Sequence, residues 1–279
     1  MILENTIKQA SEFLKKNKIS THQLDAQIIL ADILGVSKEF LLINENVEIS
    51  NKIKKKYDKA IQRRKKNEPV AYITGKKEFW SNNFEVSSAT LVPRPETELL
   101  IYKIVDIYKN KKISILDIGT GSGCILISIL RELKFSKGLG IDISSDAIKI
   151  AKQNSQKFNL KNRSKFKVCD VNNLNVGKYD LIVTNPPYIA IKDIKNLSKD
   201  IINYEPIIAL NGGIDGLDLI KKIIYKSNNL LKKNGLFVTE IGNQQYLKVS
   251  WLLMKNGFRE ISKVYDYKRN VRCIMSTKI

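Results

Sequence analysis

A glycine-rich loop with an acidic residue before it is the first segment of the sequence that could bind a cofactor. Its residues are Asp117, Gly119, Thr120, Gly121, Ser122 and Gly123. Glycines at alternate positions carry no side chains, so the backbone of the loop can approach a ligand closely. A nicotinamide fingerprint requires Gly-x-Gly-x-x-Gly, but Cys124 stands where its last glycine would be. The spacing therefore favours a cofactor other than NAD.

Three aspartates lie at the ends of successive strand-like segments, and each suits a different part of one ligand. The carboxylate of Asp117 would repel a pyrophosphate but complements the ammonium group of a methionine moiety. Asp142 is expected to accept hydrogen bonds from two ribose hydroxyls. Asp170 is placed to accept from an adenine amino group, with Val171 covering the ring. Together these residues predict binding of S-adenosyl-L-methionine rather than NAD or ATP.

The tetrapeptide Asn185-Pro186-Pro187-Tyr188 follows a further strand-like segment and could hold a planar NH2 group. Its prolines fix the backbone and remove two N–H donors, so carbonyl oxygens and the Asn185 side chain dominate the local polar surface. If the Asn185 side-chain oxygen and the Pro186 carbonyl accepted both N–H bonds of an amide, they would orient its nitrogen for attack on a methyl carbon. Tyr188 is expected to pack on the flat face of the target group.

These residues must be positioned by strands and helices that alternate after residue 112. The predicted strands are Ile113 to Ile118, Gly138 to Ile143, Lys165 to Cys169, Tyr179 to Thr184 and Gly235 to Ile241, with two more between Ile261 and Thr277. The predicted helices include Cys124 to Leu133 and Ser145 to Asn159. Near-continuous apolar strands alternating with helices are typical of an α/β fold with a mostly parallel, doubly wound sheet. Ligands bind at the carboxyl ends of such strands, where the loop and the tetrapeptide fall.

The chain before this region divides into a helical segment and a connector. Helical patterning without proline predicts a small all-α domain over residues 1–68. Short extended runs broken by Gly75 predict a β-hairpin linker over 69–92. Residues 93–279 then form the catalytic domain.

Two helices stand out in the predicted all-α domain. One runs from His22 to Val36, with Gly35 placed to end it. Its predicted apolar face comprises Leu24, Ile28, Ala31 and either Ile33 or Leu34. The other runs from about Asn51 to Asn67 and carries nine basic residues against Asp58, a local charge of +8. This charge is either a solvated face or a binding surface.

The composition gives a formal net charge of +20, which raises the question of a nucleic-acid or membrane partner. Only eight of the 48 basic residues are arginines, the residue that favours bidentate contacts to phosphates and bases. The three cysteines are far apart and form no zinc or disulfide pattern. No segment approaches 18 uninterrupted apolar residues. We therefore expect a cytoplasmic protein without a metal, a membrane or a stable nucleic-acid partner.

Segments along almost the whole chain resemble the PrmC/HemK family of protein-(glutamine-N5) methyltransferases. They are Leu24-Asp25-Ala26 with Leu34-Gly35, Pro69 to Gly75, Glu78-Phe79-Trp80, Leu91 to Glu98, the glycine loop, Asn185 to Tyr188, Glu205-Pro206 with Gly212-Gly213 and Asp215-Gly216, and Glu240-Ile241-Gly242. Asn-Pro-Pro-Tyr is shared with nucleic-acid amino-methyltransferases, whereas Pro-Arg-Pro-Glu-Thr-Glu is more specific.

The resemblance implies a Rossmann-like methyltransferase sheet with an antiparallel last strand, a hairpin linker, and a helical N-terminal domain that helps to dock class 1 peptide-chain release factors. Separately, we expect a monomer. It implies that Gly119 to Gly123, Asp142 and Asn185 contact S-adenosyl-L-methionine, with S-adenosyl-L-homocysteine as product. It also implies that Asn185 to Tyr188 hold the glutamine of a Gly-Gly-Gln loop. Some members carry an aromatic residue at the position of Val171, which predicts that adenine packing here is either weaker or supplied by a neighbouring residue.

Two rival functions remain open at this point. A nucleic-acid amino-methyltransferase of the N6-adenine type is favoured by the net charge, but it would want an arginine-rich, aromatic-lined groove for an extracted base. A nicotinamide enzyme or a non-catalytic cofactor-binding protein could use the same sheet. The only histidine, His22, lies far from the glycine loop, which disfavours histidine-dependent chemistry.

Overall fold

The computed structural model describes residues 2–279, and these belong to two compact units. The first unit consists of the chain through Lys76 together with Ser198–Tyr204. The second consists of Lys77–Leu197 and Glu205–Ile279. Across residues 2–279, no helix is both long and apolar enough to cross a membrane.

The secondary structure is helical at first and then alternates between strands and helices. The α-helices are α1 Leu3–Lys16, α2 His22–Leu34, α3 Lys38–Ile43, α4 Asn51–Lys65, α5 Val70–Thr74, α6 Glu98–Tyr108, α7 Cys124–Glu132, α8 Ser145–Lys157, α9 Ile191–Ile194, α10 Lys199–Tyr204, α11 Asp218–Leu230 and α12 Tyr246–Lys255. The strands are β1 Lys76–Phe79, β2 Asn82–Glu85, β3 Ser114–Ile118, β4 Lys137–Asp142, β5 Ser164–Val168, β6 Tyr179–Thr184, β7 Leu231–Glu240, β8 Phe258–Tyr265 and β9 Val271–Lys278. Short 3-10 helices occur at Pro95–Thr97, Val171–Asn173 and Ile207–Ala209.

The face of helix α2 that lies in the core of the first unit agrees only in part with the predicted one, because Ala31 is buried as predicted but Leu24 is not. Ala26, Ile29 and Leu30 are buried with side chains of α1 and α4, whereas Leu24 is 45% exposed. The prediction of Leu24 as a core residue is wrong. Because α2 carries apolar residues around most of its circumference, spacing alone could not select a face, and packing against the neighbouring helices decides it. Gly35 ends the helix as predicted, with a left-handed φ of 70°.

Part of the charge on α4 is paired inside the first unit. Arg64 lies 2.7 Å from the carboxylate of Asp25 on α2, and both side chains are largely buried. Arg63 binds Glu68, with contacts of 2.8 Å and 2.6 Å. Two of the basic residues in the predicted +8 segment therefore stabilise the unit itself.

The predicted linker contains a helix as well as a hairpin. Val70–Thr74 forms α5, where the pattern had indicated extended chain. Pro69 precedes this helix and Gly75 ends it in a left-handed conformation, and five residues are too few for helical spacing to become visible. The hairpin follows as β1 and β2, joined by Trp80 and Ser81. Both joining residues have positive φ, as a two-residue hairpin turn requires.

The second unit is built on a seven-stranded sheet in the order β5-β4-β3-β6-β7-β9-β8. The pairs from β5 to β7 are parallel, and β9 is antiparallel to both β7 and β8. This confirms the α/β class, the mostly parallel sheet and the antiparallel last strand. Strand β7 begins at Leu231, earlier than predicted, and its register against β6 shifts between Tyr179 and Leu181. The prediction began at Gly235 because the three residues before it are polar.

The strand order reverses beside β3, where β4 lies on one side and β6 on the other. Asp117 of β3 is opposite Gly140 of β4 and Val183 of β6. A crevice forms at the carboxyl ends of strands where the order reverses, because the following helices pack on opposite faces of the sheet. The glycine loop leaves the sheet after β3, and Asn185 leaves it directly after β6.

Candidate active site

A cavity in the second unit lies at this reversal of strand order. Its wall is formed by the glycine loop, the segments that follow β4, β5 and β6, residues 89–97 and the turn around Ile207–Ala209. The predicted site residues that line it are Gly119, Thr120, Gly121, Ser122, Asp142, Asp170, Val171, Asn185, Pro186 and Pro187. Asp117, Gly123 and Tyr188 do not line it. The structure thus brings most of the predicted residues to one cavity.

The glycine loop is held open by contacts with the end of β4. The N–H groups of Gly119 and Thr120 both donate to the carbonyl of Ile141, at 2.9 Å and 3.0 Å. Gly121 has a φ of 54°, and a Cβ built there would meet no atom within 4 Å. The loop therefore turns a bare stretch of backbone towards the cavity.

Asp142 is the last residue of β4, and each of its carboxylate oxygens accepts one hydrogen bond from a backbone N–H group. One oxygen accepts the N–H of Gly121 at 2.9 Å, and the other accepts the N–H of Ser144 at 3.0 Å. A carboxylate oxygen has two lone-pair positions, so each retains capacity for one more donor. The arrangement leaves room for a pair of neighbouring hydroxyl groups, as the sequence suggested for a ribose.

Asp117 lies beneath the glycine loop and has no exposed surface. Thr120 donates to one of its carboxylate oxygens at 2.6 Å, while the other oxygen has no hydrogen-bond partner among residues 2–279. Burial raises the pKa of Asp117 to about 7 from an ordinary value of 3.8. An unpaired buried oxygen of this kind suits a donor supplied from outside the chain.

Asp170 and Val171 both line the cavity, but only Asp170 is exposed to solvent. Asp170 is exposed, and it accepts the N–H of Asn172 at 2.8 Å as the N-cap of a 3-10 helix. Val171 is only 4% exposed and packs in the apolar core beside Leu174. An aliphatic surface and a carboxylate thus lie side by side at the cavity wall.

Asn185 is linked to Thr97 directly and to Glu240 through Thr97, and both partners come from distant parts of the second unit. Its side-chain nitrogen donates to the Thr97 hydroxyl at 3.3 Å, and this hydroxyl donates to Glu240 at 2.7 Å. The hydroxyl of Tyr188 donates to the other oxygen of Glu240 at 3.3 Å. Neither Thr97 nor Glu240 is among the predicted site residues. Their membership in the segments Leu91 to Glu98 and Glu240-Ile241-Gly242 was the signal that could have found them.

The ionisable groups of this network are largely withdrawn from solvent. Burial raises the pKa of Glu240, while the two hydroxyl donors and Arg272 act in the opposite direction. Burial and the neighbouring Glu240 raise the pKa of the Tyr188 phenol. Tyr188 is therefore neutral at physiological pH and serves as a donor.

An ion pair holds the far side of the cavity. One guanidinium nitrogen of Arg94 donates to both carboxylate oxygens of Glu205, at 2.7 Å and 2.9 Å. The Glu205 side chain is 2% exposed, and Pro206 beside it lines the cavity with Arg94. The pair thus connects the segment around Arg94 to the turn that follows Glu205.

Cysteine chemistry finds no support at this cavity. Cys124 lies in its wall, but burial raises the pKa of its thiol to about 12, which disfavours a thiolate. In the part of the chain that the structure describes, no group of three or more histidines, cysteines or carboxylates could hold a metal ion.

The fold and the cavity define a Rossmann-like methyltransferase domain. Residues 109–275 match a family model described as a methyltransferase domain. A methyltransferase structure from Pyrococcus furiosus is 15% identical, with a TM-score of 0.53 over 70% of this chain and 88% of that chain. A tRNA m1G37 methyltransferase from M. jannaschii is also 15% identical, with a TM-score of 0.53 over 73% and 56%. At such identities the likeness concerns the fold.

Sequence comparison assigns the chain more narrowly. Residues 5–75 match the PrmC N-terminal domain. The release factor glutamine methyltransferase of Clostridium acetobutylicum is 37% identical over 100% of this chain and 99% of its own length. The protein of the same name from Buchnera aphidicola is 41% identical over 91% and 92%. The chain belongs to the release factor glutamine methyltransferase family, which confirms the resemblance read from its motifs.

Proposed function

We propose that this chain transfers a methyl group from S-adenosyl-L-methionine to the side-chain amide nitrogen (N5) of the glutamine in the Gly-Gly-Gln motif of class 1 peptide-chain release factors. The observation that carries the proposal is that one cavity is lined by both the Gly119–Ser122 backbone and Asn185-Pro186. Full-length similarity to release factor glutamine methyltransferases supports the choice of substrate.

Several residues of the cavity fit the cofactor. Each oxygen of Asp142 retains capacity for a ribose hydroxyl, and the bare backbone at Gly121 allows close approach. The unpaired oxygen of Asp117 suits the ammonium group of the methionine moiety, although this carboxylate lies under the loop rather than in the cavity wall. Val171 and Asp170 would contact the adenine ring and its amino group. Bound S-adenosyl-L-methionine supplies a methyl group on a positively charged sulfur.

The chain itself prepares the amide for attack. The side-chain oxygen of Asn185 and the main-chain oxygen of Pro186 would accept the two N–H bonds of the glutamine amide. These contacts favour positive charge on the nitrogen, whose lone pair is otherwise delocalised into the carbonyl group. Tyr188, anchored through its hydroxyl to Glu240, would support the flat face of the amide.

The transfer is a single displacement. The amide nitrogen would form a bond to the methyl carbon while the bond between that carbon and sulfur breaks with its electron pair on sulfur. The nitrogen would then lose a proton to solvent. The products are N5-methylglutamine and S-adenosyl-L-homocysteine, and no covalent intermediate with the enzyme is needed.

A labelled-transfer assay tests this proposal. The chain is incubated with methyl-labelled cofactor and an intact class 1 release factor, and in parallel with DNA and RNA. We expect label on the release factor and none on a factor whose target glutamine is replaced by alanine. Equal labelling of the two factors would reject the glutamine as the target. Labelling of nucleic acid alone would favour the amino-methyltransferase of the N6-adenine type instead.

A further inference from the structure

We propose that Thr97 and Glu240 are positioning residues that decide which way the Asn185 amide faces. In this arrangement they hold its nitrogen away from the substrate and leave its oxygen to accept from the substrate amide. The inference rests on the proposed function, because it concerns the orientation of the group that holds the glutamine. It adds Thr97 and Glu240 to the site, and it makes methyl transfer depend on the charge of Glu240.

The first step is a count of the hydrogens in the network. When Glu240 is ionised, its carboxylate has no hydrogen to donate and can only accept. Thr97 has a single hydroxyl hydrogen, and its 2.7 Å contact with Glu240 uses it. The Thr97 oxygen can then only accept from Asn185, at 3.3 Å. In this ionised state the NH2 group of Asn185 must face Thr97, and its oxygen must face the other way.

The second step is to consider Glu240 with its charge neutralised by a proton. If Glu240 carried a proton, it could donate to Thr97, and the hydroxyl of Thr97 would be released to donate to the oxygen of Asn185. The amide would then be stable in the opposite orientation, with its NH2 group turned towards the substrate. Two NH2 groups cannot satisfy each other, because each has donors and no good acceptor. The protonated enzyme should therefore hold the substrate amide poorly.

Charged and titratable groups around Glu240 determine when this change occurs. Tyr188 donates to Glu240 from the tetrapeptide, and Thr97 donates from the 3-10 helix before α6. Arg272 on β9 favours the carboxylate, and Glu96 disfavours it. Cys273 on β9 pairs with Glu240 in the sheet, and burial keeps its thiol protonated. Burial of Glu240 outweighs the favourable contacts, so its pKa lies above the ordinary carboxyl value.

The experiment measures kcat for methylation of the release factor, and the Kd of the cofactor, in the variants Thr97→Val, Thr97→Ser and Glu240→Gln. Valine keeps the shape of threonine without the hydroxyl, and we expect its kcat to fall about 100-fold. Its cofactor Kd should stay within about threefold, since Thr97 is not among the proposed cofactor contacts. Serine restores the hydroxyl and should keep kcat within about threefold of the parent. Thr6→Val is the matched control, because the Thr6 hydroxyl is buried in the first unit and donates to the main-chain carbonyl of Ile2.

The dependence on pH separates positioning from a structural role. In the parent protein, kcat should fall as the pH drops through the raised pKa of Glu240, above the usual range of about 4 to 4.5 for a carboxyl. In Glu240→Gln this acidic decline should disappear. An unchanged decline in Glu240→Gln, or a Thr97→Val kcat equal to that of the Thr6→Val control, would overturn the inference.

Failure of the inference can be told apart from failure of the proposed function. If the parent protein does not label the release factor, the proposed function fails. If the parent labels it and Thr97→Val does so at an equal rate, only the positioning role fails. Should Thr97→Val not fold, the comparison of Thr97→Ser and Glu240→Gln with the parent across pH still decides the question.

Discussion

The carboxylate of Asp142 accepts the backbone N–H of Gly121 at 2.9 Å. This side chain at the end of β4 thereby helps to fix the conformation of the glycine loop that follows β3, together with the Ile141 carbonyl. If Asp142 also accepts ribose hydroxyls, cofactor binding and loop geometry depend on the same carboxylate. This link makes Asp142 the first residue to test.

We expect Asp142→Ala to weaken cofactor binding about 10- to 100-fold, because hydrogen bonds to a charged group contribute about 1.5 to 3 kcal/mol. Calorimetric titration with S-adenosyl-L-homocysteine measures the change. Asp146→Ala, which removes an exposed carboxylate from α8, is the matched control. An unchanged dissociation constant in Asp142→Ala would contradict the ribose assignment.

Asn185→Ala should show the opposite balance. It removes an acceptor that acts mainly on the reacting amide, so we expect kcat to fall about 100- to 1,000-fold while cofactor Kd changes only a few-fold. Single-turnover kinetics and equilibrium binding separate the two effects. A loss of cofactor affinity as large as the loss of kcat would make Asn185 chiefly a cofactor contact.

Asp117→Asn should raise the free energy of unfolding at high pH and weaken the binding of the cofactor. Because burial raises the pKa of Asp117 to about 7, the folded state favours its neutral form. The contribution of this group to the free energy of unfolding of the parent is fully present below pH 3.8, and it is lost as the pH rises through about 7. Asparagine stays neutral and can still accept from Thr120.

Denaturant unfolding at a series of pH values measures this effect in the absence of cofactor. The free energy of unfolding of the parent should fall relative to that of Asp117→Asn by about 1 kcal/mol per pH unit between pH 4 and 7. Parallel curves for the two proteins would show that Asp117 has an ordinary pKa. A tighter cofactor Kd in the variant would contradict contact with the ammonium group.

The Arg94–Glu205 pair should matter for stability as well as for the cavity. Arg94→Met leaves the carboxylate of Glu205 buried without this guanidinium, and we expect a loss of about 2 to 3 kcal/mol in the free energy of unfolding. The double variant Arg94→Met with Glu205→Gln removes the buried charge and should recover part of the loss. Equal stability of the single and double variants would show that the charge of Glu205 is not the cause.

Much of the site could be predicted from the sequence because its residues lie in short, contiguous runs. Gly119 to Ser122 and Asn185 to Pro187 each follow a strongly apolar strand, and their chemistry is visible in residue type and spacing. The order of strands and helices likewise predicted the α/β class. The prediction of Leu24 in the core failed because helical spacing does not select a face when apolar residues surround the helix.

Other features were decided by the tertiary structure alone. Thr97 and Glu240 are 143 residues apart, and their contact depends on the turn before α6 reaching the end of β7. The position of Asp117 beneath the loop, with one unpaired oxygen, also follows from the packing around β3. Sequence by itself determined which groups are available for the chemistry. Their orientation and protonation depend on distances and burial, which arise only when strands distant in sequence lie side by side.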